Sequence, residues 1–278
     1  MSGIANRAMI KGVVCALVVV GVALGGSAVA AAHDEAGVLS RIVKNGELRV
    51  GMSGNQPPFC VKSKSGELIG YEVDLAKLLA NAMGVELKIV EKPFGQLLGA
   101  LEAGEVDAVM SGMTMTPERN VRVAFVGPYM VSGKSILTTS AALAAIDEAS
   151  DIDQADIRLA ALAGSTSQKF VEKLIPKAKL TAIADYDEGV KAVMEGNVDA
   201  MVADFPICAL TMLRYPDAGL ATLSKPLTIE PIGIALPPGD SLLVNMVTNY
   251  LGALEGTGLL ELLEKRWFED GSWLLQVP

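Results

Sequence analysis

The chain has 278 residues, with 23 Lys+Arg against 32 Asp+Glu and a single His, His33. A formal net charge of −9 argues against nucleic acid or anionic lipid as partners. One imidazole near the N-terminus leaves no His general base for the rest of the chain and counts against a His-ligated metal centre.

Arg7 and Lys11 precede an apolar run from Gly12 to Leu24, and Ala28-Val29-Ala30 and Ala30-Ala31-Ala32 both fit an A-x-A cleavage site. Residues 1–32 therefore read as a secretory signal peptide cut near Ala30 or Ala32. The run is short for a membrane span of roughly 20 apolar residues, and Val14 before Cys15 does not suit lipid attachment. Loss of Arg7 and Lys11, and of no acid, takes the net charge from −9 to −11. Cys60 and Cys208 remain after cleavage, and two buried free thiols are expected rather than a disulfide. About 245 residues are left, enough for one large domain or two small lobes.

Glu35 to Asn45 reads as a short amphipathic helix and Leu48 to Met52 as the first strand. Ser53-Gly54-Asn55-Gln56-Pro57-Pro58-Phe59 is a turn-forming loop, and Lys62 to Gly66 a polar hairpin turn. Glu72 to Met83 carries apolar residues at helical spacing and closes at Gly84. A strand over Val85 to Val90, a helix over Gln96 to Ala103 opened by Phe94, and a buried strand over Val106 to Met110 follow. The order β-α-β-α-β favours a mainly parallel sheet with helices on its faces.

Ser111 to Arg119 comes directly after that last strand. Thr116-Pro117-Glu118 reads as a helix start: Thr caps, Pro suits the first turn, and Glu suits the positive end of the dipole. Gly112, Thr114 and Arg119 then lie at the carboxyl end of a strand, where ligands bind in open α/β sheets. A planar cation, a hydroxyl and a backbone position without a side chain make a carboxylate receptor.

Ala100 to Gly112 (ALEAGEVDAVMSG) and Ala192 to Asp204 (AVMEGNVDAMVAD) align without a gap at an offset of 92 residues. Each is a helix end, a Gly cap, Val-Asp-Ala and a buried strand, so one unit is used once in each of two lobes. Gly112 and Asp204 are equivalent in this alignment, and two facing lobes would bring both to one cleft. The second lobe opens with a strand over Arg158 to Ala163, the turn Gly164-Ser165-Thr166-Ser167 and a helix over Gln168 to Ile175. The hydroxyls of Ser165 and Thr166 at that helix start fit an anion site, the plainer alternative being an ordinary cap. Leu180 to Ala184 is a strand, and Tyr186 to Glu195 a helix. Gly127 to Gly133 leaves the first lobe and Thr228 to Gly233 returns to it, both segments holding Gly and Pro. Ser241 to Glu255 and Leu259 to Trp267 are helical, and Trp267 and Trp273 are expected to pack on the first lobe.

From about Leu39 to Trp267 the chain resembles the amino-acid-type solute-binding proteins of bacterial ABC importers. The resemblance rests on Gly70-Tyr71-Glu72-Val73-Asp74, Gly104 to Ala108, Met113 to Arg119, Pro128-Tyr129, Gly164-Ser165-Thr166, Val198-Asp199-Ala200, Asp204-Phe205-Pro206 and Gly233-Ile234-Ala235. It implies an α/β fold of the periplasmic-binding-protein type II. Each of two lobes is a mainly parallel sheet flanked by helices, and two hinge strands join them. Lobe 1 would span 35–130 and 233–278, lobe 2 134–229, with hinges near 129–133 and 229–233. The resemblance further implies that Arg119 pairs with the ligand α-carboxylate, helped by Thr114 and by Thr166 from the other lobe. Asp204 would take the α-ammonium, with the Gly112 carbonyl opposite. Residues that bind basic side chains in relatives are replaced by the uncharged Ser53 and Gln56, while Phe94 matches the family's ring. A neutral or polar amino acid is thus expected in preference to Arg or Lys.

The implied partners are that amino acid and an inner-membrane ABC permease, in the periplasm, with the chain a monomer and no metal, cofactor or catalytic residue. Two alternatives share the scaffold. A sensory ligand-binding module would use the same ligand chemistry. A cyclohexadienyl dehydratase would need a general acid; the family places Glu three residues after the Asp204 equivalent, where this chain has Ile207, and Glu230 is read as a hinge-strand carboxylate.

Overall fold

The computed structural model describes residues 37–278; the signal-peptide reading, His33 and the expected helix start at Glu35 lie outside them. Helix α1 (Val38–Asn45) ends on Gly46 in a left-handed conformation and leads into β1 (Glu47–Met52). Three short strands, β2 (Asn55–Gln56), β3 (Cys60–Lys62) and β4 (Leu68–Ile69), form a side sheet. Then come α2 (Tyr71–Met83), β5 (Glu86–Glu91), α3 (Leu97–Glu102), β6 (Ala108–Val109), α4 (Pro117–Asn120) and β7 (Ala124–Ser132). The second half holds β8 (Lys134–Thr138), β9 (Arg158–Leu162), α5 (Thr166–Leu174), β10 (Lys179–Ile183), α6 (Tyr186–Met194), β11 (Ala200–Asp204), α7 (Phe205–Arg214) and β12 (Ala221–Thr222). Last are β13 (Glu230–Leu236), α8 (Ser241–Gly256) and α9 (Leu259–Glu264).

Two five-stranded sheets carry the fold, ordered β5-β1-β6-β13-β7 and β10-β9-β11-β8-β12. In each, the first three strands run parallel, as the alternating helix and strand pattern requires. The fourth strand, β13 in one and β8 in the other, is antiparallel to both its neighbours, so the sheets are mixed. β8 follows directly on β7 of the other sheet, and β13 brings the chain back from the second sheet to the first. Glu230 pairs with Ser132 and Pro231 with Val131, so the two passing chains hold each other. Gly133 sits between β7 and β8, where a Cβ would lie 2.0 Å from the Thr228 carbonyl oxygen. Only a residue without a side chain fits that approach.

The expected strand over 106–110 is extended but short as a ladder. Asp107 N–H bonds to Arg49 O at 2.8 Å and Met110 N–H to Gly51 O at 3.2 Å, outside the two residues of β6. The last helix stops at Glu264 and continues as a wider turn over Lys265–Glu269. Within that turn Trp267 is buried, its Nε1 donating to Asp74 Oδ2 at 2.9 Å, and Trp273 Nε1 donates to Trp267 O at 3.0 Å. Both rings therefore anchor the C-terminal segment on the first lobe. An apolar core joins Val50, Leu79, Leu97, Val109, Ile234 and Leu243, and a second one, within the other sheet's lobe, joins Ile136, Leu159, Phe170, Val171 and Val202. Cys60 and Cys208 are buried free thiols. Burial pushes both thiol pKa values up, that of Cys208 to about 12. Among the described residues, no helix is long and apolar enough to cross a membrane.

Candidate functional site

Arg119 is placed by the turn that the sequence announces. Thr116 caps α4, its Oγ1 accepting the Arg119 N–H at 3.2 Å, with Pro117 in the first turn. The side chain turns inward and is only 6% exposed. Its Nη1 donates to Thr114 O at 2.9 Å and its Nη2 to Gly164 O of the other lobe at 3.4 Å. Its guanidinium carbon lies 5.7 Å from the centre of the Phe94 ring, within cation–π range. Burial pushes the Arg119 pKa down, while Glu230, Asp204 and Glu118 act against that. The hydroxyls of Thr114 and Thr166 meet across the lobes at 3.3 Å. Arg119, Thr114, Thr166 and Phe94 are thus brought together. A cavity of about 450 Å³ adjoins them, lined by Arg119, Thr166, Lys169, Phe170 and Glu230 among others.

Asp204 ends β11, buried, and the structure gives it a partner that the sequence pattern does not announce. Lys134, the first residue of β8, pairs with Asp204 in the antiparallel ladder, and its Nζ lies 2.6 Å from Asp204 Oδ1. The same Nζ lies 3.5 Å from Glu230 Oε2. Glu230 Oε1 accepts from Thr228 Oγ1 at 3.3 Å, and Thr228 Oγ1 accepts the Lys134 N–H at 2.9 Å. Asp204 is therefore not a free anion awaiting a ligand. A Lys at a strand start after Gly reads as a solvated charge. Only the unbroken burial of all five β8 residues makes it otherwise, and the run Lys-Ser-Ile-Leu-Thr is a weak sign of that.

Gly112, with φ of 57°, holds its N–H 2.7 Å from Glu72 Oε1. Tyr129 O–H donates to the same oxygen. Glu72 is wholly buried, and that burial pushes its carboxyl up to about 7 against both hydrogen bonds, with the charge of Asp204 adding to the rise. Ser53 and Ser111 both donate to Gln56 Oε1, at 2.7 and 2.5 Å. Ser165 serves as a helix cap: its Oγ accepts the Gln168 N–H at 3.1 Å. Of the two hydroxyls at the start of α5, only that of Thr166 reaches across to the first lobe.

The model for "Bacterial extracellular solute-binding proteins, family 3" matches residues 48–270. The chain is 25% identical over 245 residues to the L-cystine-binding protein TcyJ of Escherichia coli K12, covering 88% of this chain and 91% of that protein. It is 27% identical over 231 residues to the cyclohexadienyl dehydratase of Pseudomonas aeruginosa, covering 83% and 86%. Among solved structures, a binding component of an ABC transporter from Wolinella succinogenes, complexed with lysine, superposes with a TM-score of 0.79 at 35% identity, covering 83% of this chain and 99% of that one. The chain belongs to family 3 of the bacterial extracellular solute-binding proteins, whose fold of two α/β lobes it shares.

Proposed function

We propose that the chain captures a small neutral or polar amino acid between its lobes and delivers it to the permease of an ABC importer. The observation that carries this reading is Arg119. It is a buried guanidinium on the short helix α4, flanked by Phe94 and Thr114 from one lobe and by Thr166 and Gly164 from the other. Such a fork suits a carboxylate, and it is desolvated only where the lobes meet. Lobe 1 is taken as 35–130 with 233–278 and lobe 2 as 134–229, the paired strands near 129–133 and 229–233 serving as the hinge. Ligand-bridged closure is then a shift of population toward the closed form. The absence of charge at Ser53, Gln56 and Ser111 supports a neutral side chain, and the named cystine-binding relative supports a polar one. The chain acts as a monomer in the periplasm after cleavage near Ala30 or Ala32. Catalysis is not part of this reading, because Ile207, buried one turn after Asp204, cannot give a proton.

A thermal-shift screen of the common amino acids tests it. A ligand at 100 times its Kd stabilises the wild type by about 2.7 kcal/mol. Arg119→Ala loses that shift, because truncation strands a buried carboxylate at a cost of roughly 3–5 kcal/mol. A strong response to arginine or lysine alone would overturn the neutral preference. Turnover of prephenate or arogenate would overturn the non-enzymatic role.

A further inference from the structure

The position that an α-ammonium would take at Asp204 already holds an ammonium of the protein. Lys134 is 1% exposed and fixed along its length. Its N–H bonds to Thr228 Oγ1 at 2.9 Å, its carbonyl accepts the Leu227 N–H at 2.7 Å, and its Nζ sits 2.6 Å from Asp204 Oδ1. Glu230 Oε2, buried and without any hydrogen bond, lies 3.5 Å from the same Nζ. Two cations, Arg119 and Lys134, thus stand against two acids, Asp204 and Glu230, before any ligand arrives.

We propose that Lys134 sets the ligand class at the α-position. It makes the site take the 2-oxo or 2-hydroxy acid at least as tightly as the α-amino acid of the same side chain. This rests on the function proposed above, with the ligand carboxylate on Arg119 and its α-substituent toward Asp204. An α-ammonium placed there shares one carboxylate with Lys134, and two like charges on one buried acid repel. A neutral carbonyl or hydroxyl leaves the Lys134–Asp204 pair whole. It also offers an acceptor to an ammonium that carries three donors and no acceptor of its own. Displacing Lys134 from Asp204 instead would exchange a 2.6 Å contact for Glu230 alone, whose Oε2 stands 3.5 Å from the ammonium, and weakening a buried ion pair is costly. The effect is independent of the side chain, because the uncharged Ser53–Gln56–Ser111 cluster is a separate group of residues.

Calorimetric titration with matched sets decides it: L-alanine, L-leucine and L-methionine, each beside its 2-oxo and 2-hydroxy counterpart. The expected result for the wild-type mature chain is a Kd for the counterpart equal to or below that of the amino acid. Lys134→Gln keeps a donor near Asp204 and removes the charge; it is expected to shift the ratio at least tenfold toward the amino acid. If that variant does not fold, the wild-type ratio by itself is decisive. Amino acids bound more than tenfold tighter than their counterparts by the wild type, and lost in Arg119→Ala, would overturn the role of Lys134 and leave the site reading standing. No binding by any member, or binding indifferent to Arg119→Ala, would overturn both.

Discussion

The two lobes hold the same staple at different depths. In the first, Asp107 just before β6 takes Arg49 of β1 three ways: Nη2 at 2.6 Å, Nε at 3.3 Å and the backbone N–H at 2.9 Å. In the second, Asp199 before β11 takes Arg158 of β9 likewise, at 2.6, 3.2 and 2.7 Å. The geometry is repeated, yet the Asp107 side chain is 1% exposed and that of Asp199 28%. The difference is α1, which brings Arg41 onto Asp107 as a second partner and shields it from water. The opposite ends of the same strands have diverged. Gly112 presents a backbone N–H to Glu72, whereas Asp204 presents a carboxylate to Lys134. One unit thus serves stability at its amino end and leaves its carboxyl end open to chemistry.

Breaking the staples separates geometry from burial. Asp107→Ala removes a buried carboxylate that two partly exposed arginines share, and is expected to cost roughly 2–3 kcal/mol in urea unfolding. Asp199→Ala removes the same bonds where water replaces them, and its cost is expected to be a small part of that. Equal losses would mean that the hydrogen-bond pattern, and not depth, sets the value. The acid limb follows the same ranking. Burial pushes Asp107 up, but the bonds from Arg41 and Arg49 outweigh it and hold its pKa below the usual carboxylate range; Arg158 does the same for Asp199. Stability from each is present above the ordinary carboxylate pKa and is lost as pH falls through the depressed one.

Glu72, behind the first lobe's strand end, has the opposite sign. Its folded pKa of about 7 stands above the ordinary 4.5. The stability it contributes is full below pH 4.5 and is lost as pH rises toward 7, by about 3 kcal/mol. Glu72→Gln is expected to flatten that slope while keeping an acceptor for Tyr129 and Gly112. Urea midpoints measured between pH 4.5 and 8 check this; an unchanged slope in the variant would show that another group titrates there.

Much of this was legible because it is local. The 92-residue repeat, the Thr116-Pro117 helix start and the parallel β-α-β order all depend on neighbours in sequence, and each stands in the structure. The reversed strands β13 and β8 were not legible, since they depend on chain segments about 100 residues apart meeting at Gly133 and Thr228. Lys134 escaped for the same reason: its carboxylates come from positions 204 and 230, and no spacing within β8 announces them. Ser165 reads both as a cap and as a ligand group; its oxygen accepts the Gln168 N–H, which is the capping role.

The contact between the lobes offers the next smaller effect. A Cβ on Gly164, whose φ is 75°, would lie 2.9 Å from the Gly95 backbone. Gly164→Ala is therefore expected to hold the lobes apart and weaken the best ligand roughly tenfold, beyond the local strain of about 1 kcal/mol. Ligand titration alongside unfolding separates the two, since strain alone lowers stability without changing Kd in proportion.

The smallest effect is expected at Lys169 and Glu118, which join α5 of the second lobe to α4 of the first at 2.5 Å. Both side chains stand in water, 38% and 64% exposed, and Lys169 holds Glu118 below its ordinary pKa. This pair spans the lobes as Thr114 and Thr166 do, but it lacks their burial, so solvent competes with it and salt screens it. Lys169→Ala should weaken ligand by roughly threefold at low salt, and by nothing measurable at an ionic strength of about 1 M, where the Debye length is ~3 Å. A loss that persisted at high salt would place Lys169 against the ligand itself, in the cavity it lines with Arg119, and would move the binding crevice toward that outer edge.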